Sequence, residues 1–161
     1  MDDFRIQYVE GDATRPITTA PWVIAHVCND IGKWGRGFVV PLGKAWPLAK
    51  DAYLRAMSPQ QDRLPLGHCQ FVEVADDCWV ANMIAQRGVR TKKTVVPPLR
   101  LESLGESLAA VRTFATDHGA SVHMPRIGTG LAGGHWSDIE RLLLQTFEKS
   151  EVPVFVYDLP R

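Results

Sequence analysis

The chain has 161 residues, of which 45% are apolar, and its 18 Lys and Arg residues balance 18 Asp and Glu residues. This length suits one core, so we expect residues 1–161 to form a single domain. A net charge of zero argues against binding nucleic acid by bulk electrostatics, whereas a small anionic ligand needs only a local pocket.

Nothing in the sequence indicates a membrane, a secretory path or a metal. No run approaches the ~18 consecutive apolar residues of a membrane span, and the first residues, 1–3, are acidic where a secretory signal would be basic. Cys28, Cys69 and Cys78 lack C-x-x-C spacing, which indicates neither a disulfide framework nor a zinc site. We therefore expect a cytoplasmic globular protein without a metal or cofactor.

Two strands are predicted first. Phe4, Ile6 and Tyr8 alternate with polar residues, which predicts a half-buried strand that ends before Gly11. Segment 22–28 is a continuous apolar run, typical of a strand buried on both faces.

A helical segment and a hairpin follow. Residues 38–57 have helical character that is interrupted near Pro47. Segments 68–74 and 78–86 have the pattern of strands separated by a short polar turn, which predicts a β-hairpin.

The last part of the chain alternates helices with short strands. Segment 99–117 repeats apolar residues at intervals of three and four, which predicts an amphipathic helix. A second helix is predicted to begin at a capping box formed by Ser137 and Glu140. Short strands are predicted at 121–124 and 152–157. The order of elements therefore predicts a three-layer α/β/α domain with a mixed central sheet.

A glycine-rich loop, residues 128–134, lies between a predicted strand and a predicted helix. Its pattern is G-x-G-x-x-G, and this context suits a nest of backbone N–H groups that cradles phosphate. A flexible turn is the alternative. A Rossmann site fits poorly, because that motif opens the first βαβ unit and this one comes near the end of the chain.

A second loop, residues 29–38, leaves the carboxyl end of the buried strand, where open α/β sheets bind ligands. Its glycines allow close approach of a ligand to the backbone. Trp34 and Phe38 are candidates for the wall of a pocket or for ordinary packing. Lys33 and Arg36 face either phosphates or water, and water is the preferred interpretation for Lys33.

Two further polar residues have alternative interpretations. Asp12 directly follows the first strand, where its carboxylate either accepts a hydrogen bond from an amino group, such as that of adenine, or caps a turn. His26 lies in the apolar run, which favours a core histidine over a catalyst. No Ser or Cys triad with His and Asp can be assembled from the spacing.

Three motifs in this order resemble the macrodomain family, whose α/β/α fold binds ADP-ribose. They are VEGDAT at 9–14, AHVCN with GRGF at 25–29 and 35–38, and MPRIGTGL at 124–131, followed by Trp136. The resemblance covers nearly the whole chain. Within the family the chain resembles most the branch of the terminal ADP-ribose protein glycohydrolase, and it is also similar to the yeast ADP-ribose 1''-phosphate phosphatase and to the antitoxin that removes ADP-ribose from DNA.

The resemblance implies that Asp12 and the backbone of Ala13 hold adenine, that Asn29 and residues 35–38 face the distal ribose, and that residues 128–132 wrap the diphosphate. The resemblance and the two loops together assign to the ligand Gly11, Asp12, Ala13, Asn29, Trp34, Gly35, Arg36, Gly37, Phe38, Arg126, Ile127, Gly128, Thr129, Gly130, Leu131, Ala132, Tyr157 and Leu159.

The chain departs from that branch at the catalytic positions. Where the glutamate-deconjugating enzyme has a Lys and an Asp, this chain has Gln86 and Ala132. Gln forms no Schiff-type adduct and Ala accepts no proton, so the lysine mechanism is not available. The remaining catalytic candidates are Asn29, Gln86 and Arg87, acting by orientation of water.

Two classes of function follow from the resemblance. The preferred one is an enzyme that hydrolyses ADP-ribose linked by an ester to Asp or Glu, with a 1''-phosphate phosphatase as a variant. The other is a reader that binds ADP-ribose marks without turnover, as the missing Lys and Asp favour. The expected partners are ADP-ribose and ADP-ribosylated protein, with modified nucleic acid less favoured because the net charge is zero.

Overall fold

The computed structural model describes residues 4–160, and these residues form six strands and four α-helices; the acidic residues 1–3 and Arg161 lie outside them. The strands are β1 (Ile6–Glu10), β2 (Trp22–Asn29), β3 (Cys69–Ala75), β4 (Cys78–Gln86), β5 (Ser121–Pro125) and β6 (Val154–Asp158). The helices are α1 (Val39–Ala45), α2 (Pro47–Ala56), α3 (Leu101–His118) and α4 (Trp136–Phe147), with a 3-10 turn at Gly130–Ala132.

The strands form one mixed sheet in the order β1-β6-β5-β2-β4-β3. Neighbouring strands are parallel except β3 and β4, which form the antiparallel hairpin predicted from the sequence. β2 lies inside the sheet between β4 and β5, which explains its continuous apolar run.

Helices cover both faces of the sheet. Alternate residues of β2 pack in two different cores, one on each face. Val23 and Ala25 pack in the main core with residues of α3 and α4. Trp22 and Ile24 pack in a second core with Leu42 of α1 and with α2. The predicted three-layer α/β/α architecture is therefore confirmed.

The helical segment predicted over 38–57 consists of two helices. α1 ends at Ala45, Pro47 is the first residue of α2, and Trp46 lies between them in a non-helical conformation. The indole N–H of Trp46 donates to the carbonyl oxygen of Thr14 at 2.8 Å, which ties this break to the loop after β1.

The predicted capping box at Ser137 is wrong. α4 begins at Trp136 with His135 as its N-cap and without a side-chain cap, so Ser137 lies inside the helix. The Glu140 carboxylate instead accepts a hydrogen bond from the hydroxyl of Tyr8 on β1, 132 residues away in the sequence.

The carboxyl ends of β2 and β4 lie side by side. Asn29 is paired with Gln86 in the parallel ladder, and the N–H of Asp30 donates to the carbonyl oxygen of Gln86 at 3.0 Å. The loops that follow these two strands therefore leave the same edge of the sheet, which is where open α/β sheets form ligand sites.

Candidate functional site

A cavity of about 810 Å³ lies at this edge of the sheet. This volume is typical of sites for small organic ligands. The cavity is bounded by the ends of β2 and β4, the two loops that follow them and one residue of the glycine loop. Its lining residues are Val27, Cys28, Asn29, Gly32, Lys33, Trp34, Gly35, Arg36, Val39, Gln86, Val89, Arg90, Thr91, Lys92 and Leu131.

Asn29 shapes the first loop with its side-chain amide. Its Oδ1 accepts hydrogen bonds from the N–H groups of Ile31 and Lys33 and from the hydroxyl of Tyr53, at 2.8–3.1 Å. Its Nδ2 donates to the carbonyl oxygen of Lys33 at 2.7 Å. An amide nitrogen carries two hydrogens, so one Nδ2 hydrogen has no acceptor within residues 4–160 and is left for a ligand.

Aromatic side chains hold the wall that contains Trp34. The Trp34 ring packs edge-on against His26, with ring centroids 5.3 Å apart, and lies 5.5 Å from the ring of Tyr53. His26 is buried and pairs with the Oδ1 atom of Asn82 at 2.5 Å. Burial lowers the pKa of His26 to about 4. His26 therefore lies in the core with a hydrogen-bond partner, as the interpretation of the apolar run favoured.

Gly88 connects the ends of the two strands. Its N–H donates to the Asp30 carboxylate at 2.8 Å, and its carbonyl oxygen accepts from the Nε2 of Gln86 at 3.0 Å. Its φ of 63° lies in the left-handed region, where glycine is the least strained residue. This turn uses the Oδ1 of Asp30 and the Nε2 of Gln86, while the Oε1 of Gln86 accepts no hydrogen bond from residues 4–160.

The loop of residues 87–98 crosses from β4 to the glycine loop. Its ends are closed by a hydrogen bond from the N–H of Arg87 to the carbonyl oxygen of Pro98 at 2.9 Å. The Nε of Arg90 donates to the carbonyl oxygen of Leu131 at 3.0 Å. A Cβ atom at Gly133 would approach Arg90 to 2.5 Å and Pro97 to 2.9 Å. The absence of a side chain at Gly133 therefore lets the two loops pack together.

The glycine loop presents backbone donors. Within residues 4–160, the N–H groups of Thr129, Gly130 and Leu131 donate to no other group of the protein. Gly130 has a φ of 63°, and a Cβ placed on it would have no neighbour within 4 Å. Consecutive free N–H groups next to a positive φ form the kind of nest that binds anions.

The cavity is lined by cations. Lys33 and Arg36 lie on the loop after β2, and Arg90 and Lys92 lie on the loop after β4, whereas no Asp or Glu is among the lining residues of the described chain. The arrangement therefore favours an anionic ligand, although the whole chain is neutral.

The cavity contains a cysteine but no ready nucleophile. Burial raises the pKa of the Cys28 thiol well above its usual value. The thiol therefore stays protonated at neutral pH, and it is the thiolate that acts as a nucleophile or metal ligand. In the described part of the chain, no three His, Cys, Asp or Glu residues are gathered as metal ligands.

The residues expected at adenine lie outside the lining of this cavity. The Oδ1 of Asp12 accepts hydrogen bonds from the N–H and the hydroxyl of Thr14, at 2.9 and 2.7 Å. Asp12 therefore caps a turn, which leaves its Oδ2 for a ligand. The N–H of Ala13 donates to no acceptor in residues 4–160.

Tyr157 is buried, and its hydroxyl belongs to an internal network. The hydroxyl accepts from the N–H of Ile17 at 3.0 Å and pairs with the Nδ1 of His123 at 2.7 Å. The Tyr157 ring lies beside Gly11, where a Cβ would meet it at 3.4 Å. Leu159, beyond the end of β6, is exposed. The ring of Tyr157, rather than its hydroxyl, is thus the part left to line a pocket.

Arg126 is engaged outside the cavity. Its guanidinium forms two hydrogen bonds with the Asp158 carboxylate at 2.7 and 2.9 Å and lies over the rings of Tyr8 and Trp136. Its carbonyl oxygen accepts from the hydroxyl of Thr129 at 2.8 Å. Arg126 therefore fixes the start of the glycine loop.

The other predicted residues divide between the two loops. Gly35 and Gly37 have open space where a Cβ would be, and Phe38 packs near Ala13 and the ring of His26. Ile127, Gly128 and Ala132 are buried in the glycine loop, and Arg87 is exposed and does not line the cavity.

Sequence reasoning missed the segment Val89–Lys92, which lines the cavity. The segment follows a strand but contains no recognised motif. The signal that was available is charge, because Arg87, Arg90, Lys92 and Lys93 lie within seven positions and no acidic residue separates them.

No family model matches the chain, but solved structures do. A protein of unknown function from Bacteroides thetaiotaomicron is 44% identical and covers 96% of this chain and 98% of its own, with a TM-score of 0.91. A macrodomain protein from Streptomyces coelicolor is 43% identical and covers 96% of this chain and 99% of its own, with a TM-score of 0.82. The chain therefore belongs to the macrodomain family, as the resemblance predicted.

Curated relatives extend the comparison. The Chromodomain-helicase-DNA-binding protein 1-like of Mus musculus is 29% identical over 100% of this chain, which spans only 18% of that protein. The human ADP-ribose glycohydrolase is 26% identical and is matched over 92% of its length by 96% of this chain. The ADP-ribose 1''-phosphate phosphatase of Candida albicans is 26% identical and is matched over 99% of its length by 94% of this chain.

Proposed function

We propose that the protein binds ADP-ribose and hydrolyses it from Asp or Glu side chains to which it is joined by an ester. The observation that carries this proposal is the cavity of about 810 Å³, which has cations on two walls and no carboxylate among its described lining residues. The names of the human glycohydrolase and the Candida albicans phosphatase support, at a general level, hydrolysis of an ADP-ribose derivative. We propose that residues 1–161 form a single macrodomain with this function.

In the proposed complex the diphosphate lies along residues 128–132. The free N–H groups of this loop and the cations of the cavity neutralise its charge. Adenine is held by the Oδ2 of Asp12 and the N–H of Ala13, neither of which is used within the described chain. The distal ribose faces Asn29 and residues 35–38.

The proposed reaction is attack of water on the anomeric carbon. The bond from that carbon to the ester oxygen breaks with its electron pair, so that the carboxylate leaves, and the water proton passes to solvent. The free Oε1 of Gln86 and the remaining N–H of Asn29 orient the water. Arg90 and Lys92 stabilise the departing carboxylate, and Arg87 is a weaker candidate for the same role.

The experiment is incubation with separately prepared glutamate-, serine- and arginine-linked ADP-ribosyl substrates, with detection of free ADP-ribose. Release from glutamate alone is expected. Borohydride should trap no enzyme–ribose adduct, since Gln86 cannot form one. An adduct trapped on Lys33 or Lys92, the lysines that line the cavity, would contradict the lysine-independent mechanism.

Gln86→Ala is the variant that tests the orientation of water. It should lower kcat more than it changes the affinity for ADP-ribose, because the amide acts mainly in the transition state. Asn29→Ala should also lower the rate, but it removes the hydrogen bonds that shape the loop. Its unfolding must therefore be measured in parallel.

The second candidate function is a reader of ADP-ribose. The structural observation in its favour is that the Nε2 of Gln86 is already bonded to Gly88 and that Ala132 offers no side-chain acid. A reader would bind ADP-ribose tightly and release none from any linkage. A phosphatase would instead release inorganic phosphate from ADP-ribose 1''-phosphate, which the same assay distinguishes.

A further inference from the structure

The chain is neutral, but its charges are separated along the sequence. No Asp or Glu occurs between Asp30 and Asp51, a stretch with four Lys and Arg residues, or between Asp77 and Glu102, a stretch with five. The first stretch contains the loop after β2, and the second contains the loop after β4. The two uniformly basic stretches thus meet at the cavity.

The cations that line the cavity are not neutralised by carboxylates of residues 4–160. The ion pair formed within residues 4–160 joins Arg126 to Asp158 and leaves Lys33, Arg36, Arg90 and Lys92 without a carboxylate partner. Arg87 and Lys93 are exposed on the same loop as Arg90 but do not line the cavity. Because these outer cations are exposed and do not line the cavity, they are candidates to contact a group that is attached to the ligand and lies outside the cavity.

Exposed aliphatic side chains accompany these cations. Val95 and Val96, on the loop of residues 87–98, are 92% and 62% exposed. Leu131, which is bonded through its carbonyl oxygen to Arg90, and Ile31, on the loop after β2, are also exposed. Such side chains gain free energy when an apolar partner covers them.

The loop of residues 87–98 contains no aromatic side chain. The aromatic residue that lines the cavity is Trp34, which is half-buried on the other loop and packs against His26 and Tyr53. Proteins that bind single-stranded nucleic acid combine cations with aromatic platforms on which bases stack. The surface therefore suits carboxylates and aliphatic side chains better than bases.

We propose that this surface, formed by Lys93, Val95 and Val96 on the loop whose residues 89–92 line the cavity, docks the acidic, aliphatic-containing protein segment that carries the modified Asp or Glu. The inference rests on the proposed function, because the modified side chain must enter the cavity. The neighbouring carboxylates of that segment pair with Lys93, while its aliphatic side chains cover the two valines. Long-range attraction between the basic surface and an acidic segment also favours encounter.

The test compares three probes by fluorescence anisotropy at low and high salt. They are an acidic peptide rich in Glu, Leu and Val, its neutral counterpart with Gln in place of Glu, and a single-stranded oligonucleotide of the same net charge as the acidic peptide. Each peptide is measured both unmodified and ADP-ribosylated on one central Glu. The acidic peptide should bind at least about five-fold more tightly than the neutral one at low salt, and the difference should vanish at high salt.

Lys93→Glu should weaken binding of the acidic peptide by about three- to ten-fold, and Val95→Ser should weaken it by about two- to three-fold. The matched control is Lys149→Glu, an equal charge reversal at an exposed position after α4, which should change binding less than about two-fold. Equal affinity for both peptides, equal effects of the two reversals or tighter binding of the oligonucleotide would each overturn the proposal. Calorimetry with free ADP-ribose separately tests the proposed function, since unmodified peptides still report on the docking surface if ADP-ribose does not bind.

Discussion

The proposed ADP-ribose site extends from Asp12 and Tyr157 near β1 to the cavity near β4, and its two ends have different structures. At the end near β1, polar groups are bonded to one another: Asp12 bonds Thr14, and Tyr157 bonds His123 and the backbone of Ile17. At the end near β4, the loops enclose a cavity in which, within residues 4–160, the cations have no carboxylate partner and the Oε1 of Gln86 accepts no hydrogen bond.

This difference suggests that one end recognises the ligand and the other takes part in the reaction. A group that is already held by internal hydrogen bonds is well placed to give a fixed, specific contact, since little ordering remains to be done when the ligand binds. Unpaired cations and a free amide oxygen in a cavity are better suited to a changing charge distribution. We therefore expect changes at the first end to alter recognition and changes at the second to alter turnover.

The largest effect is expected where the two ends join, at the glycine loop. Gly130→Glu should reduce the affinity for ADP-ribose at least about 100-fold, because a carboxylate would occupy the diphosphate position. The matched control is Gly119→Glu, because Gly119 ends α3 with a φ of 61° and, like Gly130, has open space within 4 Å of the position that a Cβ would take. Both variants should lose a similar ~1 kcal/mol of stability, while only Gly130→Glu loses binding by calorimetry. A folded Gly130→Glu protein with normal affinity would contradict the role of this loop.

A smaller effect is expected at Asp12. Asp12→Ala should weaken ADP-ribose binding by about 1–3 kcal/mol, because it removes a directed hydrogen bond, and discrimination in favour of adenine should fall with it. Since the Asp12 carboxylate also holds Thr14, Thr14→Val serves as the control that removes the hydroxyl bond but keeps the carboxylate. Calorimetry that gives wild-type affinity for Asp12→Ala would end the assignment of adenine to this position.

Some parts of the two ends were predicted correctly from the sequence. The buried strand β2 and the two glycine loops were predicted because their signals are local: a continuous apolar run in the first case and glycine spacing in the second. The hairpin of β3 and β4 was predicted for the same reason. Local signals are sufficient when neighbouring residues decide the conformation.

The parts that were not predicted depend on residues distant in sequence. Segment 89–92 becomes a wall of the cavity through the bond from Arg90 to Leu131, which lies 41 residues further on. The capping box failed because α4 begins at Trp136, before Ser137, and the Glu140 carboxylate is bonded to Tyr8 of β1 instead of to the helix start. Neither contact has a local sequence pattern, so each required the tertiary structure.

The smallest effect on ligand binding is expected from lowering the pH. The two buried histidines are His26 near β4 and His123 near β1. Neither contributes one of the free backbone N–H groups that are proposed to bind the ligand, so their protonation should affect stability more than affinity. Burial lowers the pKa of His26 and of His123 to about 4, below the ordinary value of 6.5. Between pH 6.5 and pH 4 the unfolded chain therefore binds more protons at these positions than the folded chain does. The free energy of unfolding should be constant above this range and should fall as the pH drops through it, by about 1 kcal/mol per histidine at pH 5.5.

Denaturant unfolding at pH 7.5 and 5.5 measures this fall, and calorimetry at the same pH values should show less than about a three-fold change in the affinity for ADP-ribose. His123→Gln and His26→Gln each remove one titrating group. Each should therefore reduce the pH dependence of unfolding by about half, in addition to lowering stability at every pH. If His26→Gln abolished the pH dependence of turnover rather than that of unfolding, His26 would belong to the chemistry at the β4 end. The division between a fixed recognition end and a reactive end would then have to include the aromatic wall formed by Trp34.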